Sequence, residues 1–168
     1  MCLFGGMRHT IPLLRLGALV ALIAAQEAAA QPRRIVVSLA DRKLALLEGE
    51  RVVKIYDVAV GKTSTPSPSG EFQIVTRVKD PTWYGPKQVV PPGKANPLGP
   101  RWLGLNAKGF GIHGTNAPRS IGKAASHGCI RMRNQDVEEL FDQVTAGTTV
   151  ELRAEPLEWL DRVLTITD

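Results

Sequence analysis

The stretch RIVVSLADRKLALLEGERVVKIYDVAV, residues 34–60, decides the fold of this chain. Its apolar and β-branched residues fall into three short runs, at residues 35–39, 43–47 and 51–60. Short polar segments with turn-forming residues separate the runs. Runs of this length and composition predict strands, and the polar gaps predict tight turns. The stretch therefore predicts an antiparallel meander of three strands.

The rest of the chain continues the β pattern. Further strands are predicted at residues 71–78, 101–106, 110–115 and 148–152. Residues 62–70, rich in proline, serine and glycine, predict a loop. Residues 80–100 follow neither a helical nor a strand period and predict a second, longer loop, in which Trp83 and Tyr84 favour a packed binding loop over a disordered one. The fold class that follows is mainly β.

One amphipathic helix is predicted late in the chain. Apolar residues recur there at the spacing i, i+3, i+4 and i+7: Val137, Leu140, Phe141 and Val144. Asn134 is the predicted N-cap and Gly147 marks the predicted end. The helix is expected to pack its apolar face on the sheet. A short second helix is predicted over residues 157–163.

The N-terminal residues have the pattern of a secretory signal peptide. Two arginines precede an apolar stretch at residues 16–25, and three alanines offer a signal peptidase site before Gln31. The apolar stretch is shorter than the roughly 20 residues that cross a bilayer, which favours cleavage over a retained anchor. We predict a signal peptide over residues 1–30, a mature domain over residues 31–168, and export to the periplasm or cell envelope.

The mature domain is modestly basic. Without the signal peptide, Lys plus Arg falls from 21 to 19 and Asp plus Glu from 16 to 15, so the net charge falls from +5 to +4. A positive field of this kind raises the local concentration of anionic partners. Nucleic acid is not an expected partner, because the sequence has no basic helix or aromatic stacking platform and its longest basic run is Arg33-Arg34.

The mature domain keeps a single cysteine, Cys129, because Cys2 lies in the signal peptide. Oxidising compartments normally pair cysteines as disulfides. An unpaired thiol there indicates either a chemical role or burial as a small hydrophobe. The cysteine alone leaves both interpretations open.

Two histidines, His113 and His127, are candidate partners of Cys129. As strand residues, His127 and Cys129 would share a face but lie roughly 6.5 Å apart along the chain, too far for direct contact. His113 ends a predicted strand, and a residue opposite it on a neighbouring strand would bring the two Cβ atoms to roughly 5 Å. An imidazole at that distance can take the proton of a thiol whose free pKa is about 8.5. We therefore predict Cys129 as nucleophile and His113 as base.

Glycines accompany both residues. Gly128 and Gly114 fit simple turns as well as they fit a catalytic bend. If Gly128 allows a strained bend, the amide N–H groups of Cys129 and its neighbour would point at a developing oxyanion, a contribution of about 3 kcal/mol per donor. No Asp or Asn stands in an obvious triad position. The carbonyl of Gly114 is the nearest candidate to hold the tautomer of the His113 imidazole.

These residues together resemble the signature of the L,D-transpeptidase catalytic domain, also called the YkuD domain. The central segments that carry the resemblance are IHGTN at residues 112–116, SIG at 120–122 and SHGCIRM at 126–132. It extends to PSGEF at residues 68–72, PTWY at 81–84 and the segment 96–105. Essentially the whole predicted mature domain is covered.

The resemblance implies a β-sandwich or barrel-like fold with one amphipathic helix after the nucleophile. It implies that Cys129 is acylated, that His113 is base and acid, that the Gly114 carbonyl orients His113 and that His127 shapes the site. It places substrate contacts at five positions: Trp83, Tyr84, Ser126, Gly128 and Arg131. A guanidinium at Arg131 suits the carboxylates of a peptide by bidentate pairing. Neither a cofactor nor a metal is implied.

The substrate implied by the resemblance is the tetrapeptide stem of peptidoglycan. Cys129 would attack the carbonyl at the L-centre of the third residue, release the terminal D-alanine and form a thioester. An amine of a second stem peptide or of a lipoprotein lysine would then resolve the thioester. Water as acceptor would make the protein an L,D-carboxypeptidase instead.

Two interpretations from other classes compete with this one. His113, His127 and Cys129 are of the type that bind catalytic zinc, although their spacing lacks the close pairs of structural zinc motifs. Stoichiometric zinc in the purified protein would favour that interpretation. A non-catalytic peptidoglycan-binding envelope protein would instead keep envelope function when Cys129 is replaced by Ala.

Overall fold

The computed structural model describes residues 31–156. The predicted signal peptide at residues 1–30 and the predicted helix at residues 157–163 lie outside the described residues. No helix within the described range is long and apolar enough to cross a membrane.

The described part of the chain is mainly β. The strands of its main sheet are β1 (Arg33–Ser38), β2 (Lys43–Glu48), β3 (Arg51–Gly61), β4 (Gly70–Lys79), β7 (Arg101–Leu105), β8 (Gly111–His113), β9 (Ala124–Ser126), β10 (Ile130–Met132) and β11 (Thr149–Arg153). A separate two-stranded sheet contains β5 (Trp83–Tyr84) and β6 (Val89–Val90). The helical elements are a 3₁₀ turn, Pro118–Ser120, and the helix α1, Asn134–Gln143.

The main sheet closes on itself as a barrel. Its strand order is β10-β8-β7-β4-β11-β1-β2-β3-β9, and β10 also pairs with β3. The ring is completed at β10, which runs parallel to β8 and antiparallel to β3. The strands β1, β2 and β3 form the predicted antiparallel meander. The prediction of a mainly β, barrel-like fold with one helix after residue 129 is confirmed.

The interior of the ring is filled by alternating apolar side chains. On β1, for example, Ile35 and Val37 lie in the main core while Val36, between them, belongs to a smaller cluster with Ala45 and Leu47. This alternation follows from the two-residue period of a strand. Burying side chains of this size contributes about 1.5–3 kcal/mol each relative to leaving them exposed.

Helix α1 packs Val137, Leu140 and Phe141 into the same core, as the apolar period predicts. The prediction that Asn134 caps this helix is wrong by one residue. The N-cap is Arg133, which makes no side-chain capping bond, and Asn134 is the first residue of the helix. The side chain of Asn134 is occupied elsewhere, since its Oδ1 accepts a hydrogen bond from the Thr115 N–H at 2.7 Å.

The long loop at residues 80–100 is more ordered than its sequence predicts. The two residues of β5 pair antiparallel with the two residues of β6. One buried side chain, Asn96, joins the ends of the loop: its Nδ2 donates to the carbonyls of Pro81, Val90 and Pro91, and its Oδ1 accepts from the Leu98 N–H. The Asn96 amide therefore joins several parts of the loop, in addition to the β5–β6 pair.

Candidate active site

Neighbouring strands bring Cys129 and His113 to one wall of the barrel. His113 is the last residue of β8, and Cys129 immediately precedes β10. The residue directly opposite His113 is Arg131, so the expectation that Cys129 itself lies opposite is wrong. Cys129 is two positions before Arg131 and one residue outside β10, so it is offset from His113 along this pair of strands. The nucleophile and base predicted from the sequence therefore lie on neighbouring segments and not directly opposite each other.

The imidazole of His113 is buried and fixed in one orientation. Its Nδ1 lies 2.6 Å from the carbonyl oxygen of Gly114. A carbonyl can only accept, so Nδ1 carries the hydrogen and Nε2 keeps its lone pair. The ring stacks on Trp102, with 5.7 Å between centroids and 27° between planes. The Gly114 carbonyl therefore makes the contact predicted for it.

Burial lowers the pKa of His113 from 6.5 to about 4. The hydrogen bond to Gly114 acts in the opposite direction, and the nearby charge of Arg131 lowers the pKa further. The imidazole is consequently neutral at pH 7, and its Nε2 is able to accept a proton.

The thiol of Cys129 is half-buried and contacts the turn between β7 and β8. Its Sγ donates to the carbonyl of Gly109 at 3.5 Å. Burial raises the pKa of the Cys129 thiol, while the backbone of Gly111 and the charge of Arg131 lower it to a smaller extent. The resting pair is therefore a neutral thiol beside a neutral imidazole.

The turn before Cys129 is braced by Ser126. The Ser126 hydroxyl donates to the Cys129 carbonyl at 2.6 Å and accepts from the Gly128 N–H at 3.0 Å. Gly128 has φ +113°, and a Cβ there would lie 2.6 Å from the ring of Phe110. The bend predicted at Gly128 is present. Ser126 is buried, with its hydroxyl bonded to backbone, whereas His127 at the tip of the turn is exposed.

Arg131 places a positive charge near both His113 and Cys129. It lies between His113 on β8 and Ala59 on β3, and its charge lowers the pKa of both His113 and Cys129. No acidic side chain within residues 31–156 pairs with it. The guanidinium of Arg131 therefore remains able to pair with an anionic group of a ligand.

A groove of about 650 Å³ opens beside the thiol. Its lining residues are Val78, Asp80, Pro81, Thr82, Trp83, Tyr84, Leu98, Trp102, Gly109 and Cys129. Of the predicted substrate contacts, Trp83 and Tyr84 line this groove with Cys129. Sequence reasoning missed Leu98, and it placed Trp102 beside the predicted binding loop without assigning it to the site. For Trp102 a signal existed in the predicted strand at residues 101–106, but its pairing opposite His113 required the register.

Metal ligands do not converge in the described part of the chain. No three His, Cys, Asp or Glu side chains of residues 31–156 are grouped so that they could hold a metal ion.

The barrel and its groove define a class: a small, closed β domain in which a lone thiol and a neutral imidazole share one wall. The profile of the YkuD domain, the L,D-transpeptidase catalytic domain, matches residues 32–152. This chain belongs to the L,D-transpeptidase family.

Relatives and solved structures agree with that assignment. The chain is 49% identical over 121 residues to the putative L,D-transpeptidase YkuD of Bacillus licheniformis, a match that covers 72% of this chain and 66% of the Bacillus protein. The chain thus spans just under two thirds of the length of this relative.

Two solved structures share the fold. The Ldtfm–avibactam carbamoyl enzyme matches with a TM-score of 0.63 and 27% identity, over 75% of this chain and 50% of that one. The catalytic domain of the Enterococcus faecium L,D-transpeptidase, solved by NMR, matches with a TM-score of 0.60 and 26% identity, over 75% of this chain and 100% of that domain. The described barrel therefore corresponds to a catalytic domain that has been solved on its own.

Proposed function

We propose that this protein is a peptidoglycan L,D-transpeptidase that works through a Cys129 thioester. The observation that carries the proposal is a buried His113, oriented by its Nδ1 hydrogen bond to the Gly114 carbonyl, on the strand next to a thiol that opens into a groove of about 650 Å³. Family membership supplies the reaction class. The chemistry follows from the two side chains.

In the first half-reaction, Nε2 of His113 takes the Cys129 proton as Sγ attacks the carbonyl at the L-centre of the third stem residue. Because both groups rest in their neutral forms, the proton moves during the attack and not before it. The amide N–H of Cys129, aimed by the bend at Gly128, binds the oxyanion. Collapse of the intermediate breaks the peptide bond, and His113 returns the proton to the departing D-alanine amine. Cys129 then holds a thioester.

In the second half-reaction an amine of a second stem peptide attacks the thioester carbonyl. His113 accepts a proton from the attacking amine and returns it to the Cys129 thiolate as the C–S bond breaks. The products are a cross-linked peptide and the free thiol. A lipoprotein lysine as acceptor would give attachment by the same steps, and water would give hydrolysis.

The substrate-binding roles divide between the groove and the strand. Trp83 and Tyr84 contact the stem peptide along the groove, and Arg131 pairs with one of its carboxylates while favouring the thiolate. Ser126 and Gly128 act through the shape of the turn that presents Cys129. His127, exposed at the turn, remains a predicted site-shaping residue.

The decisive experiment is mass spectrometry of the protein with a defined tetrapeptide stem. We expect D-alanine release, an acyl adduct on Cys129 and, when an amine acceptor is added, a cross-linked product. A carbapenem should likewise add its mass to Cys129, because a strained lactam acylates such a thiol. The absence of both adducts on folded protein would contradict the proposal. Hydrolysed tripeptide in the presence of excess amine would establish a carboxypeptidase.

We further propose that the domain acts outside the inner membrane after removal of residues 1–30. The proposal rests on the signal-peptide pattern in the sequence. N-terminal sequencing of the protein recovered from the cell envelope should begin near Gln31. Recovery of the protein with residues 1–30 attached would contradict cleavage.

A further inference from the structure

A single peptide group next to His113 is hydrogen-bonded on both of its sides. The carbonyl oxygen of Gly114 accepts from His113 Nδ1 at 2.6 Å, and the N–H of Thr115 donates to Asn134 Oδ1 at 2.7 Å. The Gly114 carbonyl and the Thr115 N–H belong to the same planar peptide unit. Its orientation is therefore set jointly by His113 and by Asn134, which lies on α1.

The close approach of Asn134 depends on two glycines. A Cβ at Gly99 or at Gly114 would lie 2.5 Å from Asn134 Oδ1. Gly99 also has φ +62°, a conformation that L side chains rarely adopt. Two glycines distant in sequence thus leave space for the Asn134 Oδ1 to reach the peptide group.

The amide of Asn134 is not engaged in capping its own helix. The N-cap position is Arg133, and no side-chain capping bond is made there. Asn134 instead reaches a residue nineteen positions earlier in the chain. The Oδ1 of Asn134 therefore serves the Gly114–Thr115 peptide and not its own helix.

We propose that Asn134 is a positioning residue for His113 and acts on it through the Gly114–Thr115 peptide group. Hydrogen bonds in series polarise one another, so acceptance of the Thr115 N–H by Asn134 makes the Gly114 carbonyl a stronger acceptor. The stronger acceptor holds the Nδ1–H tautomer and stabilises the imidazolium that forms when Nε2 takes a proton. In cysteine acyl-transfer sites that use a third side chain, that side chain binds the imidazole directly; here a backbone peptide stands between them.

The proposal rests on the proposed function for its first readout, the rate of Cys129 acylation. Its second readout, the NMR titration of His113, does not depend on the proposed function. Asn134→Ala removes the acceptor, and Asn134→Asp keeps an oxygen acceptor and adds negative charge. Gln135→Ala, an exposed substitution at the next helical position, is the matched control. Arg131, whose charge acts on His113, is unchanged in all three variants.

The first readout is the rate of Cys129 acylation by a carbapenem, followed by intact mass. Asn134→Ala should lower it about tenfold, which corresponds to about 1.4 kcal/mol of barrier. Asn134→Asp should remain within about twofold of the parent protein, and Gln135→Ala should be unchanged. Equal rates for the parent protein and Asn134→Ala would overturn the proposal.

The second readout is ¹⁵N NMR of His113 as a function of pH. The parent protein should show the Nδ1–H tautomer and titrate far below 6.5. In Asn134→Asp the titration should move upward, since a carboxylate at the end of the series favours the imidazolium, whereas Asn134→Ala should lose strict tautomer preference. If the pKa of His113 is the same in Asn134→Asp as in the parent protein, the contact of Asn134 is purely structural and the proposal is overturned. This outcome can be read even if Asn134→Ala does not fold. If the parent protein is never acylated, the proposed function fails while the NMR result still decides the role of Asn134.

Discussion

The site has two regions that are held in place in different ways. The strand wall, β8 with β10 and the Cys129 that precedes β10, carries His113, which is only 5% exposed. Of this wall, Cys129 is the residue that lines the groove. The loop wall, residues 80–100, presents Trp83 and a Tyr84 that is 78% exposed, and its main side-chain tie is the buried amide of Asn96. The proposed reacting groups lie where the sheet fixes the backbone, and the proposed contact groups lie on a loop that depends largely on one side chain.

This difference predicts that the two regions contribute to different steps, the strands to the reaction and the loop to binding. Displacing a reacting atom by a small distance is costly to the rate, so reacting groups belong on a fixed backbone. A loop with few fixed contacts opens locally at a lower free energy than a core strand. Changes in the strand wall should therefore reduce the rate of acylation, and changes in the loop should chiefly alter binding of donor or acceptor.

The largest effect is expected from Cys129→Ala. The strand wall then lacks its nucleophile, and turnover of the tetrapeptide should fall by at least roughly a thousandfold. The melting temperature should change little, because the Cys129 side chain is only half-buried. Retained turnover with undiminished cross-linking would instead support a non-catalytic envelope protein.

His113→Gln tests the base of the strand wall and should lower the acylation rate by about 10²–10⁴-fold. The rate is measured from the mass of the carbapenem adduct with time. His127→Gln is the matched control: its imidazole is exposed at the turn, and its effect should be much smaller. Equal losses for the two histidines would place His127 in the reaction as well.

Burial of His113 also predicts a pH dependence of stability. Above about pH 6.5 the imidazole is neutral in both folded and unfolded chains. As the pH falls toward 4, the unfolded chain binds a proton that the folded chain excludes, because burial lowers the pKa of His113 to about 4. Folding should lose on the order of 3 kcal/mol across this window.

Denaturant unfolding at a series of pH values measures this loss. His113→Gln should lack the component between about pH 4 and 6.5 that the parent protein shows. The difference between the two proteins isolates His113 from carboxylates such as Asp57, whose pKa is lowered chiefly by its hydrogen bond to Lys43. Superimposable pH profiles for the two proteins would contradict a buried, neutral imidazole.

Asn96→Ala tests the loop wall. It removes the amide that holds the loop and leaves three carbonyls without their donor. We expect KM for the stem peptide to rise several-fold, with kcat within about twofold, and stability to fall by about 1–3 kcal/mol. Asn116→Ala, which removes one exposed hydrogen bond to Ala95, is the control. A fall in kcat with unchanged KM would contradict the prediction that the strand wall sets the rate and the loop wall sets substrate binding.

The sequence predicted those parts of the fold that depend on local period. The runs at residues 35–39, 43–47 and 51–60 alternate or are continuously apolar, and the spacing of Val137, Leu140 and Phe141 is helical. These patterns arise because each strand or helix buries one face, so its apolar residues recur with the period of that element. The β5–β6 pair could not be predicted, because strands of two residues are too short to have a period.

The candidate site was predicted in its central residues, and its register was not. Cys129 and His113 were recognisable from their residue types, and the Gly114 carbonyl from its adjacency to His113. Which residue lies opposite His113 depends on how the ring closes, since β10 pairs with both β8 and β3. Asn134 was assigned to its own helix because its actual partner, Thr115, is near it only in the folded barrel.

The closure of the ring at β10 has a consequence for the way in which function is lost. This three-residue strand is bonded along both edges, so it is not released by fraying of a sheet edge, and separating it from β3 or β8 opens the whole cylinder. In increasing denaturant, acylation of Cys129 should therefore disappear together with global unfolding. If the proposed function holds and the loop at residues 80–100 selects the acceptor amine, this discrimination should fade at lower denaturant concentrations through local opening. We therefore expect such a protein to lose acceptor specificity before it loses acylation.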